Sequence, residues 1–210
     1  MRRIGQVDEE SISNVEGEVD RLTRLVGDLL LLAQAESGRL PMENRPVELD
    51  TIMLEVFHQM RTLAGEKLQL VIGEIDQVLV NGDRDRLKQV LVNLVGNAIH
   101  YTPAGGKVTL NLEKANNQAR LTVSDTGPGI PAQDIPHIFE RFYRGERSRK
   151  RTPGSQSSGF GLGLSIAYWI IRNHGGAIEV NSLEGQGTTF CVWLPIQLEN
   201  LAKEKSENFQ

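Results

Sequence analysis

Glycine is placed unevenly along this chain, and its placement limits the fold more than any other feature. Three clusters stand apart: Asp125-Thr-Gly127-Pro-Gly129-Ile130, Gly159-Phe-Gly161-Leu-Gly163-Leu164 and Gly185-Gln-Gly187-Thr188. Glycine reaches positive φ at little cost and lets the backbone come close to a ligand. A chain that gathers it at the ends of apolar runs is therefore expected to bind with loops rather than with bulky side chains. The first cluster follows a strand-like run that ends in a carboxylate. The second opens an apolar helix, and the third joins two strand-like runs.

Asp125 at a strand end can accept a hydrogen bond from a purine amino group, although an isolated D-x-G also reads as a tight turn begun by Asp. In the second cluster, the unpaired N–H groups and the positive end of the helix dipole make an anion site. The common nucleotide motifs fail here. Gly154 and Gly159 have Walker spacing, but Phe160 stands where Lys is required and no strand precedes them. Leu164 occupies the position of the third glycine of both the Rossmann fingerprint and the protein-kinase loop.

Composition narrows the class. With 39% hydrophobic and 24% charged residues, the chain is neither disordered nor fibrous. A net charge of -4 argues against a nucleic-acid binder held by phosphate neutralisation. Cys191 is the single cysteine, so neither an internal disulfide nor a multi-thiolate metal site is expected. No apolar stretch follows the basic Met1-Arg2-Arg3, and the run from Leu25 to Ala35 is interrupted by Asp28. That run falls short of the roughly 20 residues that cross a bilayer. A soluble chain suited to a reducing compartment is expected.

The first 40 residues read as one helix, because Ile12, Val15, Val19, Leu22, Val26, Leu29 and Ala33 alternate steps of three and four. Leu25, Leu30 and Leu32 widen this stripe toward a helical bundle. The stripe can pack on the downstream domain or on another chain, and the spacing favours the second. After Pro41, a strand is expected over 46–50, with Asp50 capping a helix to Ala64. Strands follow over 68–75 and 77–80, set around Glu74-Ile75-Asp76. Asp83 caps a second helix, and a hairpin over 107–112 and 119–123 turns at Asn116-Asn117. A third helix covers 165–173, and final strands cover 178–181 and 188–194. The mixture lacks strict βαβ alternation. It implies an α+β fold: a two-layer α/β sandwich, mostly antiparallel, with helices on one face. Arg144 to Ser158 is basic and turn-rich and reads as a mobile loop.

Asn93, Asn97 and His100 are spaced four and three apart and share one face of the second helix. Amide oxygens there can complete a Mg²⁺ shell alongside phosphate oxygens; alone, the pattern also describes an exposed polar face.

With these residues laid out, the chain resembles the catalytic domain of bacterial sensor histidine kinases. Leu91-Val-Asn93-Leu-Val-Gly-Asn97-Ala-Ile-His100-Tyr101-Thr resembles their N box, and Asp125-x-Gly127-x-Gly129-Ile130 their G1 box. Ile138-Phe139-Glu-Arg-Phe142-Tyr143-Arg144 resembles the F box. Gly159-x-Gly161-Leu-Gly163-Leu-Ser-Ile166 resembles the G2 box, and Gly185-x-Gly187-Thr188-Thr-Phe190 the last glycine box. One such match is weak; five in family order across residues 42–196 are specific. The resemblance implies a Bergerat-type fold that binds ATP and Mg²⁺. By family role, Asp125 accepts from the adenine amino group with Thr188 assisting, and Tyr101 packs near the base. The G1 residues Gly127, Gly129 and Ile130, and the F-box residues Tyr143 and Arg144, border the nucleotide. Asn97, with Asn93, holds the metal and phosphates and is the catalytic residue of the set. Gly161, Leu162 and Gly163 donate backbone contacts to the phosphates, and Gly159 and Leu164 also border the nucleotide. Arg144, Arg147, Arg149, Lys150 and Arg151 can close over the triphosphate. His100 stands where the family commonly has Lys, and a neutral imidazole offers one donor and less charge.

The segment Glu18-x-x-Arg21-Leu22-x-x-Leu25-Val26-x-Asp28-Leu29-Leu30 resembles the second helix of the family's dimerisation and phosphotransfer hairpin. The implied organisation is a partial hairpin over 1–41, an ATP-binding domain over 42–198 and a polar tail over 199–210. His58, His100, His137 and His174 all lack the acidic neighbour expected beside a phosphoacceptor. His58 and His174 read as helix-surface residues. The implied activity is transfer of the ATP γ-phosphoryl to a histidine outside this chain, for relay to a response-regulator receiver domain. A cytoplasmic site of action and a homodimeric parent accompany that reading. Three alternatives stay open: a gyrase, Hsp90 or mismatch-repair type ATPase, an anti-sigma serine kinase, and a nucleotide-binding module inactive without its phosphoacceptor helix. The ATPases need a Glu where Asn93 stands, and an amide is no base at neutral pH.

Overall fold

The computed structural model describes residues 9–37, 42–145 and 160–197. Helix α1 (Glu9–Glu36) is the long helix that the three-four spacing predicts. The heptad line is not the line that packs on the rest of the chain. Ile12, Val15, Val19, Leu22, Val26 and Leu29 are exposed, whereas Leu31 and Leu32 are buried in the core and Leu25 packs against it. Further toward the N-terminus on the packing side, the Arg21 guanidinium lies 4.7 Å from the centroid of the Phe160 ring.

Strand β1 (Arg45–Glu48) runs directly into α2 (Leu49–Ala64). Asp50 does not cap α2. Glu48 holds the N-cap without a side-chain cap bond, while Asp50 sits in the first turn and its Oδ1 accepts from the Val78 N–H at 3.2 Å. An acidic side chain is favourable there for the helix dipole, and a tertiary donor takes its oxygen. Strands β2 (Gln69–Ile75) and β3 (Leu79–Gly82) are not partners, although they follow each other closely. β3 pairs antiparallel with β1 in a two-stranded sheet. β2 runs parallel to β4 (Lys107–Ala115), with Leu70 beside Val108. The Asp76 N–H bonds to Leu112 O at 2.8 Å, so the chain continues along the sheet edge instead of turning back.

The main sheet has five strands in the order β2-β4-β5-β7-β6, where β5 is Gln118–Asp125, β6 is Ala177–Leu183 and β7 is Gly187–Pro195. The β4–β5 hairpin turns at Asn116 and Asn117, both at positive φ (50° and 66°), as the tight turn of a right-twisted hairpin requires. α2, α3 (Arg84–Tyr101) and α4 (Gly163–Asn173) cover one face. Beneath them, Val108, Leu110, Leu112, Leu121, Val123 and Val192 are almost wholly buried. Asp83 caps α3 as its sequence position predicts, with Oδ1 accepting from the N–H groups of Asp85 and Arg86, each at 3.1 Å.

This α+β sandwich gathers the glycine-bearing ends. The last residue of β5, Asp125, pairs with Thr188 at the start of β7. α4 starts close by, because Asn93 of α3 donates from Nδ2 to Gly163 O at 3.0 Å.

Candidate functional site

A cavity of about 300 Å³ opens where these ends meet. α3 contributes Asn97 and Tyr101; the end of β5 and its following loop contribute Asp125, Gly129 and Ile130. Tyr143 and Arg144 reach it from beyond the short 3-10 turn Ile135–His137, Leu164 from the first turn of α4, and Thr188 from β7. Nine residues expected from separated motifs thus line one space. Asn93, His100, Gly127, Gly161, Leu162 and Gly163 do not line it. Asn93 is tied to Gly163, the His100 ring packs edge-on against Tyr101 at 4.8 Å, and Leu162 is 1% exposed. Gly159, Arg147, Arg149, Lys150, Arg151 and the tail from Glu199 lie outside the described residues.

Burial raises the Asp125 carboxyl above its usual value near 3.8, opposed by backbone N–H groups of Gly127 and Thr188. The Gly127 N–H donates to Oδ1 at 2.8 Å. A carboxylate has about four lone-pair sites, so two backbone donors leave room for a ligand donor. Gly187 holds the next strand against this acid. Its φ is +114°, and a Cβ there would overlap the carbonyl oxygen of Asp125.

Phe142 shapes the opposite wall. It is a non-glycine residue at φ +60°, its side chain is exposed, and its N–H donates to Gly161 O at 3.0 Å. A left-handed backbone costs an L-residue about 1–2 kcal/mol. Here it accompanies the change of direction that turns Phe142 to solvent and the next two residues, Tyr143 and Arg144, to the cavity.

The two asparagines of α3 differ in what they have left to offer. Asn93 spends an amide proton on Gly163 O. Among the described residues the Asn97 side chain has no hydrogen-bond partner, and Asn97 lines the cavity. Among the described residues no three of His, Cys, Asp or Glu cluster as a ready metal cage. The Asn97 amide oxygen is the kind of single neutral donor that a hard cation retaining most of its waters can accept.

Several wall residues are not among those the sequence assigns to the site. Phe190 follows Thr188 by two positions and shares its face of β7, so strand alternation carries a signal for it. Ile138 begins the F-box string. Pro131, Asp134 and Gly145 sit on irregular segments whose path no periodicity encodes. His174 also departs from expectation. It is half-buried: Nδ1 lies 2.8 Å from Ile170 O, and Nε2 accepts from the Asp83 N–H at 3.0 Å. Its ring closes the C-terminus of α4 and ties it to the cap of α3, which the local sequence cannot reveal. Exposed His58 is the helix-surface residue that its sequence predicts.

Fold and cavity together define an α/β-sandwich domain with a small, partly apolar cavity beside a half-buried acid. The chain belongs to the histidine kinase-, DNA gyrase B-, and HSP90-like ATPase family, whose signature matches residues 82–198. It is 39% identical over 198 residues to the probable sensor histidine kinase TcrY of Mycobacterium tuberculosis, covering 93% of this chain and 40% of TcrY. It is 36% identical to the signal transduction histidine-protein kinase BaeS of Escherichia coli, covering 90% of this chain and 40% of BaeS. The chain thus spans about two-fifths of the length of these relatives. Among solved structures, full-length ShkA in complex with AMPPNP matches with a TM-score of 0.78 and 27% identity, over 94% of this chain and 41% of ShkA. The catalytic domain of histidine kinase ThkA matches with a TM-score of 0.59 and 31% identity, over 74% of this chain and 98% of that domain. Among the described residues no helix is long and apolar enough to cross a membrane.

Proposed function

We propose that this chain binds ATP with Mg²⁺ and transfers the γ-phosphoryl group to a histidine supplied by another helix or chain. That histidine then passes the group to an aspartate on a response-regulator receiver domain. The observation that carries the proposal is one cavity lined by Asp125 and Thr188 for a purine amino group and by Asn97 and Arg144 for phosphates and metal. In this reading Asn97 supplies the protein oxygen to Mg²⁺, and Asn93 adds its remaining amide oxygen. Tyr101 and Ile130 bound the base. Gly127, Gly129, Tyr143 and the run Gly159, Gly161, Leu162, Gly163 and Leu164 frame the nucleotide, and His100 adds one donor near the phosphates. The chain's own contribution is positioning and neutralisation of charge, which dominate phosphoryl transfer in general.

The proposed organisation assigns 1–41 to part of a dimerisation hairpin, 42–198 to the ATP-binding domain and 199–210 to a tail. Support for the first assignment is the exposed line Ile12, Val15, Val19, Leu22, Val26 and Leu29, an apolar seam on α1 suited to a partner helix in a homodimeric parent. The domain acts in the cytoplasm on this reading. A hydrolytic ATPase is the weaker alternative. Asn93 stands where a general base is needed, and its amide is tied to Gly163.

The deciding experiment incubates the chain with γ-labelled ATP, Mg²⁺ and a separate histidine-bearing hairpin. Acid-labile, alkali-stable label on the hairpin is the expected result. Steady phosphate release with no transfer would overturn the kinase reading in favour of the ATPase.

A further inference from the structure

Ser182 lies on β6, directly opposite Thr188 of β7, and belongs to none of the sequence motifs. Its hydroxyl makes three contacts. The Ile130 N–H donates to Ser182 Oγ at 2.8 Å, Ser182 Oγ donates to Gly187 O at 3.0 Å, and Ser182 Oγ lies 2.9 Å from Thr188 Oγ1. A backbone N–H only donates and a carbonyl only accepts, while a serine hydroxyl carries one proton and two lone pairs. One arrangement satisfies all three contacts. The serine proton goes to Gly187 O, and the threonine proton goes to Ser182 Oγ. Thr188 is 6% exposed and lines the cavity, and with its proton committed to Ser182 its hydroxyl has only lone pairs left to offer a ligand. Ionised Asp125, paired with Thr188 across the strands, is likewise an acceptor.

We infer that Ser182 is a positioning residue for base selection: by holding the Thr188 proton, it makes the floor of the cavity acceptor-only, so that a 6-amino purine is bound and a 6-oxo purine is rejected. This rests on the nucleotide reading above and assigns the discrimination to a residue that does not itself line the cavity. A 6-oxo group offers lone pairs where a 6-amino group offers two protons, so it would meet Thr188 and Asp125 acceptor to acceptor, the N1–H of the oxo purine lying on the neighbouring ring atom. Buried polar groups left unpaired are what give such sites their selectivity. Without the Ser182 hydroxyl, the Thr188 proton can rotate toward the ligand and serve an oxo group.

The test measures ADP and IDP affinities by calorimetry, with direct and competition titrations, on the wild-type chain and on Ser182→Ala, Ser182→Cys and Ser182→Thr. Wild type should prefer ADP by about tenfold or more. Ser182→Ala should compress that preference about five- to tenfold, chiefly through tighter IDP binding. Ser182→Cys keeps the volume, loses most of the hydrogen-bonding strength, and carries the same expectation if the alanine variant is too unstable to titrate. Ser182→Thr keeps the hydroxyl on a β-strand position and should restore the wild-type ratio. If ADP and IDP weaken in parallel in the alanine and cysteine variants, Ser182 is merely structural and the inference fails. It fails also if wild type binds both nucleotides equally. Wild type binding neither nucleotide would instead refute the nucleotide reading on which it rests.

Discussion

Replacing Asp125 with asparagine isolates the half-buried acid. The side chains are nearly the same size, and the asparagine Oδ1 can still accept from the Gly127 N–H, which donates at 2.8 Å in the native site. What changes is the charge and one acceptor, which becomes an amide donor facing the purine amino group. A hydrogen bond to a charged acceptor is worth about 1.5–3 kcal/mol, so nucleotide affinity should fall about 10- to 150-fold. Stability should move the other way. Burial raises the Asp125 pKa above its usual value near 3.8, so folding disfavours the ionised form. The stability tied to this group is complete below its ordinary pKa and is lost as pH rises through the raised one. Asparagine escapes that penalty. At neutral pH the ligand-free variant should melt at or above the wild-type temperature, with any gain vanishing toward acid. Calorimetry with ADP and Mg²⁺, together with thermal melts across pH, reads both quantities on the same samples. Unchanged affinity in Asp125→Asn would refute the purine-acceptor role. Lost affinity accompanied by lost stability would show that the site had collapsed and that the acid's role is structural.

Asn97→Ala removes the one cavity amide of α3. It should abolish Mg²⁺-dependent transfer to a histidine-bearing hairpin while leaving metal-free ADP affinity within about threefold; full transfer would take Asn97 out of the metal site. Gly187→Ala places a Cβ into the Asp125 carbonyl at φ +114°. A loss of about 2–4 kcal/mol is expected, lowering Tm by roughly 5–15 °C, and a melt within a degree or so of wild type would contradict the close approach. His174→Ala strands the Asp83 N–H and should cost about 1–3 kcal/mol at neutral pH. Burial holds the His174 pKa below its usual 6.5, so its stabilising contribution is full above that value and fades as pH falls through the depressed one. The gap between variant and wild type should therefore narrow in melts from about pH 7.5 toward about pH 5; a constant gap would argue against a neutral, bonded imidazole.

Much of the fold was legible because it depends on short-range chemistry. Asp83 precedes an apolar-periodic helix and caps it, Asn116-Asn117 closes a hairpin, and the glycine clusters fall at element ends. The outcomes for the tied and the open asparagine show where that legibility stops. Asn93 and Asn97 look alike on a helical wheel, yet one is fastened to Gly163 and the other opens on the cavity, because only the packing of α4 against α3 tells them apart. Asp50 looks like a cap locally and is not one for the same reason: its oxygen is claimed by Val78, 28 positions away.

The sequence by itself determined which segments are helix and strand, where the chain turns, and which residue types are available for a purine, phosphates and a metal. Those properties follow from periodicity, capping and backbone freedom within a few residues. The tertiary structure decided that β2 runs parallel to β4 while β3 pairs with β1. It also decided that α1 turns its heptad line outward and packs through Leu25, Leu31 and Leu32, and that Ser182 and His174 are bonded to partners distant in sequence. Apolar residues carry no label for their partners, since the hydrophobic effect is non-directional. Directional hydrogen bonds select among the possible packings, and their donors and acceptors meet only once the layers have closed.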